Sequence, residues 1–191
     1  MIDLAETGQH PTALFIVRAD SRVVPNLITD TAPGDLFVLR NVGNFVAPYK
    51  PDAEFHATAS GIEYAVTALK VSNIIICGHT HCGAIGALYS DIEDTPFVHT
   101  KKWFSLGDKA KSLATLSIDK GASHEQLLRL TEILSVVFQI ENLITYPYVK
   151  QGVEDGSIQI HAWLYDIESG AIEYYDPDAS DFKSLTSLDK K

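Results

Sequence analysis

The stretch A-L-F-I-V-R-A-D-S-R, residues 13–22, decides the fold. Its first five residues form a continuous apolar run, and one aspartate, one serine and two arginines follow among the next five. Similar apolar runs occur at residues 35–39 and 73–77. Short apolar runs rich in β-branched residues are typical of strands that are buried on both faces of a sheet.

Helical patterns separate these runs. Residues 25–30 suit a short helix, and residues 56–69 carry apolar side chains at helical spacing. Alternation of strand and helix predicts an α/β fold, with a mostly parallel β-sheet flanked by helices.

The second half of the chain completes this fold. Residues 124–146 carry apolar side chains three or four positions apart, which predicts a long amphipathic helix. Residues 158–167 suit a further strand, and Ser169-Gly170 predicts a hairpin with an antiparallel edge strand at the C-terminal end.

Composition limits the class of protein. A length of 191 residues suits a single domain over 1–191, and a net charge of -10 argues against binding to nucleic acid or to an anionic membrane surface.

The first dozen residues lack the apolar core of a signal peptide, and no apolar run suits a membrane span. Two cysteines are too few for a disulfide framework, so we expect a cytoplasmic protein. We expect the polar tail after about residue 177 to be mobile.

Chemically active residues follow two of the predicted strands. Asp20 and Arg22 come after the first, and the segment G-H-T-H-C-G at 78–83 comes after the third. Ligands of such sheets bind at the carboxyl ends of strands, so both motifs lie where a site is expected. His79 and Cys82 have a spacing that lets an imidazole and a thiolate bind zinc. The alternative is a histidine bonded to the backbone beside a small buried cysteine.

The pair of Asp20 and Arg22 also has two interpretations. An arginine can hold a carboxylate in one orientation through two parallel hydrogen bonds. Alternatively, Asp20 or Ser21 caps the helix that follows. The chain lacks the glycine patterns of nucleotide-binding loops, so we do not expect a nucleotide.

In order and spacing, these motifs resemble the β class of carbonic anhydrases. The resemblance is carried by D-S-R at 20–22, R-N-V-G-N at 40–44, G-H-T-H-C-G at 78–83 and I-H-A-W-L-Y-D-I-E-S-G-A-I-E-Y-Y-D at 160–176. It implies a zinc lyase that interconverts carbon dioxide and bicarbonate and forms homodimers or higher homo-oligomers. It also implies that His79 and Cys82 are zinc ligands, and that Asp20 is a third ligand or a proton acceptor that Arg22 holds away from the metal.

The chain departs from this family at Arg18. The family motif places a zinc-binding cysteine there, whereas a guanidinium has no lone pair to donate and stays charged. Two unit charges 4 Å apart repel by about 4 kcal/mol at an effective dielectric constant of about 20. We therefore expect either that Arg18 turns away or that the metal is absent. Asp20 or His81 are possible replacement ligands, and Cys77 is better interpreted as a buried strand residue.

Three functional hypotheses follow. The first is a zinc carbonic anhydrase impaired by loss of one ligand. The second is a metal-poor pseudoenzyme that binds bicarbonate or another small anion, and the third is a structural partner of an active paralogue. Only residues 1–12 precede the first strand, so we expect the N-terminal helical arm of the family to be absent.

Overall fold

The computed structural model describes residues 2–52, 54–92 and 95–185. It contains a six-stranded sheet in the order β2-β1-β3-β4-β5-β6. The strands are β1 (Ala13–Arg18), β2 (Leu36–Asn41), β3 (Asn73–His79), β4 (Gln159–Tyr165), β5 (Ile172–Asp176) and β6 (Asp181–Ser184). β1 pairs in parallel with β2 and β3, and β3 pairs in parallel with β4. β5 and β6 are added antiparallel, so the predicted fold class is confirmed.

Eight helices in the described part of the chain flank or connect the strands. They are α1 (Ile2–Thr7), α2 (Pro25–Thr29), α3 (Ala57–Thr67), α4 (Gly83–Leu88), α5 (Val98–Phe104), α6 (Asp108–Ser117), α7 (His124–Ile144) and α8 (Pro147–Glu154). Among them, no helix is long and apolar enough to cross a membrane.

The sheet buries side chains on both faces. One face packs against α3, α7 and α8, and alternate residues such as Leu14 and Ile16 of β1 lie in this larger cluster. Phe15 and Val17 point to the opposite face, where they join Cys77 in a smaller cluster. Burial on both faces explains why β1 is an uninterrupted apolar run rather than an alternating one.

The structure bears differently on two predictions about the ends of the chain. A six-residue helix, α1, precedes β1, and its Leu4 packs over Gly34 of the same chain, so the absence of an arm that reaches a partner subunit stays a prediction. Residues 181–184, expected to be mobile, form β6, because Tyr175 and Phe182 pack together and the backbone pairs with β5. Residues 186–191 lie outside the described part.

Candidate functional site

Strands β1 and β3 end side by side at the point where the strand order reverses. Val17 lies opposite Cys77 in the parallel register, and Arg18 and His79 are the last residues of their strands. The short segment 80–82 then leads into α4. The two motifs singled out in the sequence therefore meet at one edge of the sheet, as ligand sites in such folds do.

Arg18 remains inside this edge rather than turning to solvent, with only 1% of its surface exposed. Its Nε donates to Asn44 Oδ1 at 2.7 Å, and its Nη1 donates to the carbonyl oxygen of His79 at 3.1 Å. Its Nη2 is buried and has no hydrogen-bond partner. Within the described residues no carboxylate forms an ion pair with this guanidinium, so a buried positive charge lies at the end of β1 without a direct counter-ion.

His79 is buried as a neutral imidazole. Its Nδ1 lies 2.7 Å from the carbonyl oxygen of Thr80, which can only accept, so Nδ1 carries the proton. Burial, helped by the charge of Arg18, lowers the pKa of His79 to about 4. Nε2 is therefore a lone-pair acceptor; it has no hydrogen-bond donor and lies 3.4 Å from Asp20 Oδ2.

Asp20 is held by Arg22 through two side-chain hydrogen bonds. Arg22 Nε donates to Oδ1 at 2.9 Å and Nη2 donates to Oδ2 at 2.7 Å, and the backbone N–H of Arg22 adds a bond to Oδ1. These bonds keep the pKa of Asp20 well below its ordinary range. Arg40 fixes the same turn by donating to the carbonyl oxygen of Asp20 at 2.7 Å. The capping interpretation describes the same residue, since Asp20 Oδ1 accepts the N–H of Arg22 in the turn at 21–22, whereas α2 itself begins after Val24 without a side-chain cap.

Cys82 is buried beside a carboxylate that sequence reasoning missed. The backbone N–H of Cys82 donates to Glu132 Oε1 at 2.8 Å, and only 2% of Glu132 is exposed. Burial raises the pKa of the Cys82 thiol, so the thiol is neutral at pH 7. Burial also raises the pKa of Glu132, although the Cys82 N–H and the charge of Arg18 oppose this. A charged residue four positions before the buried Val136 on α7 was the available sequence signal.

The two other residues weighed as ligands point elsewhere. His81 adopts a left-handed backbone (φ 55°), and its Nε2 lies 3.3 Å from Glu168 Oε1 in the turn between β4 and β5. Its carbonyl oxygen accepts a bond from Arg22 Nη2 at 3.2 Å. Cys77 lies in the cluster on the opposite face of the sheet, and burial raises the pKa of its thiol to about 12.

Comparison with known proteins gives the same class. The carbonic anhydrase family model matches residues 13–172. A carbonic anhydrase of Pseudomonas aeruginosa is 40% identical over 181 residues, which cover 94% of this chain and 80% of that protein. A carbonic anhydrase of Synechococcus elongatus is 39% identical over 86% of this chain, and the match spans 60% of that longer protein.

Solved structures agree. The beta-carbonic anhydrase CcaA superposes with a TM-score of 0.87 at 36% identity and covers 96% of this chain and 81% of its own. A tetrameric beta-carbonic anhydrase of Sordaria macrospora gives 0.80 at 28% identity, over 91% of this chain and 85% of its own. The fold is thus that of a β-class carbonic anhydrase. The chain belongs to the carbonic anhydrase family, whose reaction is the reversible hydration of carbon dioxide.

The residues at this edge do not fit the zinc ion that the family implies. Zinc needs three or four converging donors, with cysteine bound as thiolate. In the described ranges no group of three or more His, Cys, Asp or Glu side chains is arranged to hold a metal. Both oxygens of Asp20 are bound by Arg22, and the buried guanidinium of Arg18 places a positive charge against the carbonyl oxygen of His79. The ligand set of His79, Cys82 and Asp20 therefore remains a prediction.

Proposed function

We propose that this member of the carbonic anhydrase family binds bicarbonate at the edge formed by β1 and β3, and that it hydrates carbon dioxide much more slowly than its relatives. The buried guanidinium of Arg18 is the observation that carries the proposal. It favours the pseudoenzyme hypothesis over an impaired zinc enzyme, which would need Asp20 to leave Arg22.

The first argument is charge. Transfer of an unpaired ion from water into a protein interior costs several kcal/mol, and a nearby opposite charge offsets this cost. Arg18 has hydrogen bonds to neutral oxygens only, and Nη2 has none. His79 and Cys82 beside it are neutral at pH 7, and the carboxylates of Asp20 and Glu132 bond to Arg22 and to the Cys82 N–H rather than to Arg18. A small anion near this guanidinium is therefore stabilised.

The second argument concerns the proton that such an anion must carry. His79 Nε2 and Asp20 Oδ2 are both acceptors, and they face each other at 3.4 Å. Two facing lone pairs at this distance are satisfied when one donor bonds to both atoms from the side. Bicarbonate has both a negative charge and an O–H donor, whereas chloride and nitrate have the charge alone. The site therefore favours bicarbonate among small monovalent anions.

The assembly and location of the protein are also proposals. The Sordaria macrospora relatives are described as tetrameric, which supports a homodimer or higher homo-oligomer here. Both cysteines are free and buried, which suits a reducing compartment such as the cytoplasm.

Calorimetric titration with bicarbonate tests the proposal, with nitrate as a planar control of similar size that has no O–H. Bicarbonate should bind at least about tenfold more tightly than nitrate, the worth of about one hydrogen bond. Arg18→Met should remove the binding. The zinc content of the same samples should be far below one per chain. Equal affinity for both anions, or stoichiometric zinc with hydration as fast as in the relatives, would contradict the proposal.

A further inference from the structure

Two buried and oppositely charged side chains hold the segment that carries His79 and Cys82. Arg18 reaches it from β1 and donates to the carbonyl oxygen of His79 at 3.1 Å. Glu132 reaches it from α7 and accepts from the backbone N–H of Cys82 at 2.8 Å. The cation thus binds a backbone acceptor at one end of the segment, and the carboxylate binds a backbone donor at the other end.

Both side chains are buried, and neither forms an ion pair among the described residues. Arg18 is 1% exposed and Glu132 is 2% exposed. The nearby Arg129 is paired with Glu173, its Nη2 lying 2.6 Å from Oε2. The charge of Arg18 acts on Glu132 across the segment, together with the charge of Arg129.

The backbone between them is also held by Thr80, whose N–H donates to the carbonyl oxygen of Tyr165 at 3.0 Å, and by Arg22, which donates to the carbonyl oxygen of His81 at 3.2 Å. His81 lies in the left-handed region, which costs a non-glycine residue conformational energy and persists only when the surroundings impose it. The Sγ of Cys82 accepts a bond from the N–H of Ile85 at 3.5 Å. Charged partners on both ends supply the constraint that a metal bound to His79 and Cys82 would otherwise supply.

We propose that Glu132 is a positioning residue that acts with Arg18 to keep His79 and Cys82 in place without a metal. The inference rests on the proposed function for its purpose, the binding of bicarbonate beside His79. Its physical content, the coupling between Arg18 and Glu132, is independent of any ligand.

The test compares modification of the two thiols by a disulfide reagent, with the modified residue located by peptide mass spectrometry. Glu132→Leu should increase the rate at Cys82 by about tenfold or more, because the backbone N–H loses its charged partner. The rate at Cys77 should stay unchanged. If Glu132 contributed only to overall stability, its replacement would accelerate modification of both thiols. Glu132→Gln, which keeps an acceptor atom, should have a smaller effect. Glu141→Leu is the matched control on the exposed side of α7.

A double-mutant cycle tests the coupling of the charges. Arg18→Met and Glu132→Gln each leave one buried charge uncompensated, whereas the double variant leaves none. The increase in the rate of Cys82 modification should therefore be smaller in the double variant than the product of the increases in the two single variants. Arg18→Gln, which is also neutral but keeps a polar end group, replaces Arg18→Met if that variant does not fold.

The outcomes separate the two proposals. Effects that multiply, or equal acceleration at Cys77 and Cys82, would overturn the role of Glu132. Absence of bicarbonate binding by the unmodified chain would overturn the proposed function, and the thiol rates would still decide the role of Glu132. Where bicarbonate binds, its affinity should fall in Glu132→Leu and stay unchanged in Glu141→Leu.

Discussion

At the end of β1, one side chain determines which ligands the edge of the sheet accepts. A cysteine at position 18 would present a thiolate beside His79 and Cys82, whereas Arg18 presents a cation bonded to the carbonyl oxygen of His79. The two residues favour opposite partners, a metal cation for cysteine and an anion for arginine. This difference leads to a prediction on a single residue.

Arg18→Cys should increase zinc binding and carbon dioxide hydration together. The substitution removes the repelling charge and adds a soft ligand at a rigid strand end. Zinc per chain, measured by mass spectrometry after purification without added metal, should rise toward one. Arg18→Ser introduces a side chain similar in size to cysteine but a poor zinc ligand, so the zinc content of this variant should stay low. Equal zinc contents in the two variants would show that the lost cysteine is not the cause.

His161 gives a prediction about pH. It is half-buried in β4, and Asn73 Oδ1 lies 3.0 Å from its Nε2. Burial lowers the pKa of His161, so below about pH 6.5 the unfolded chain takes up a proton that the folded chain does not. Stability from this group is complete above that pH and falls as pH drops toward the folded pKa. When urea unfolding is measured at about pH 7.5 and 5.5, the free energy of unfolding should fall less between the two pH values in His161→Gln than in the parent chain.

At the scale of elements, α7 positions Glu132 and its N-terminus has a complete capping box. Ser123 Oγ accepts from the N–H of Gln126 at 3.2 Å, and Gln126 Oε1 accepts from the N–H of Ser123 at 2.8 Å. Ser123→Ala should lower the free energy of unfolding by about 1 kcal/mol, and Ser123→Asp, which retains a capping oxygen, should lower it less. Chemical denaturation measures both, and equal losses would show that the cap contributes nothing.

The elements that the sequence predicted are those with a continuous or periodic apolar pattern. β1, β3 and α7 were recognisable because burial on both faces of a sheet or along one helix face constrains each residue. β6 was not, because Asp181–Ser184 has a single large apolar residue and forms only through pairing with β5. α4 was missed because two of its six residues are glycine, which has low helix propensity.

The site, like the fold, could be predicted only in part from the sequence. Convergence of Asp20 with His79 followed from the rule that parallel strands end at one edge, and in the structure Asp20 Oδ2 lies 3.4 Å from His79 Nε2. The partners of Arg18 and Cys82 were not predictable, because Asn44 and Glu132 are brought in by tertiary packing from 26 and 50 residues away. Local pattern has no information about contacts at such separations.

At the scale of the whole molecule, the proposed function requires that the fold is stabilised by its own residues and not by a metal. The sheet buries one apolar cluster on each face, and the edge that would hold a metal is joined internally by Arg18 and Glu132. A ligand that binds only the folded state raises the melting temperature, and its removal lowers that temperature. A chain that gains no stability from zinc should therefore not respond to a chelator.

Incubation with a strong zinc chelator should leave the melting temperature of the parent chain within about 1 °C of its starting value. Arg18→Cys should behave differently: zinc should raise its melting temperature, and the chelator should reverse that rise. Calorimetry of both chains, with and without chelator, makes the comparison within one fold. A fall of several degrees in the parent chain would show that His79, Cys82 and Asp20 hold zinc despite Arg18, and that Asp20 leaves Arg22 when the metal binds.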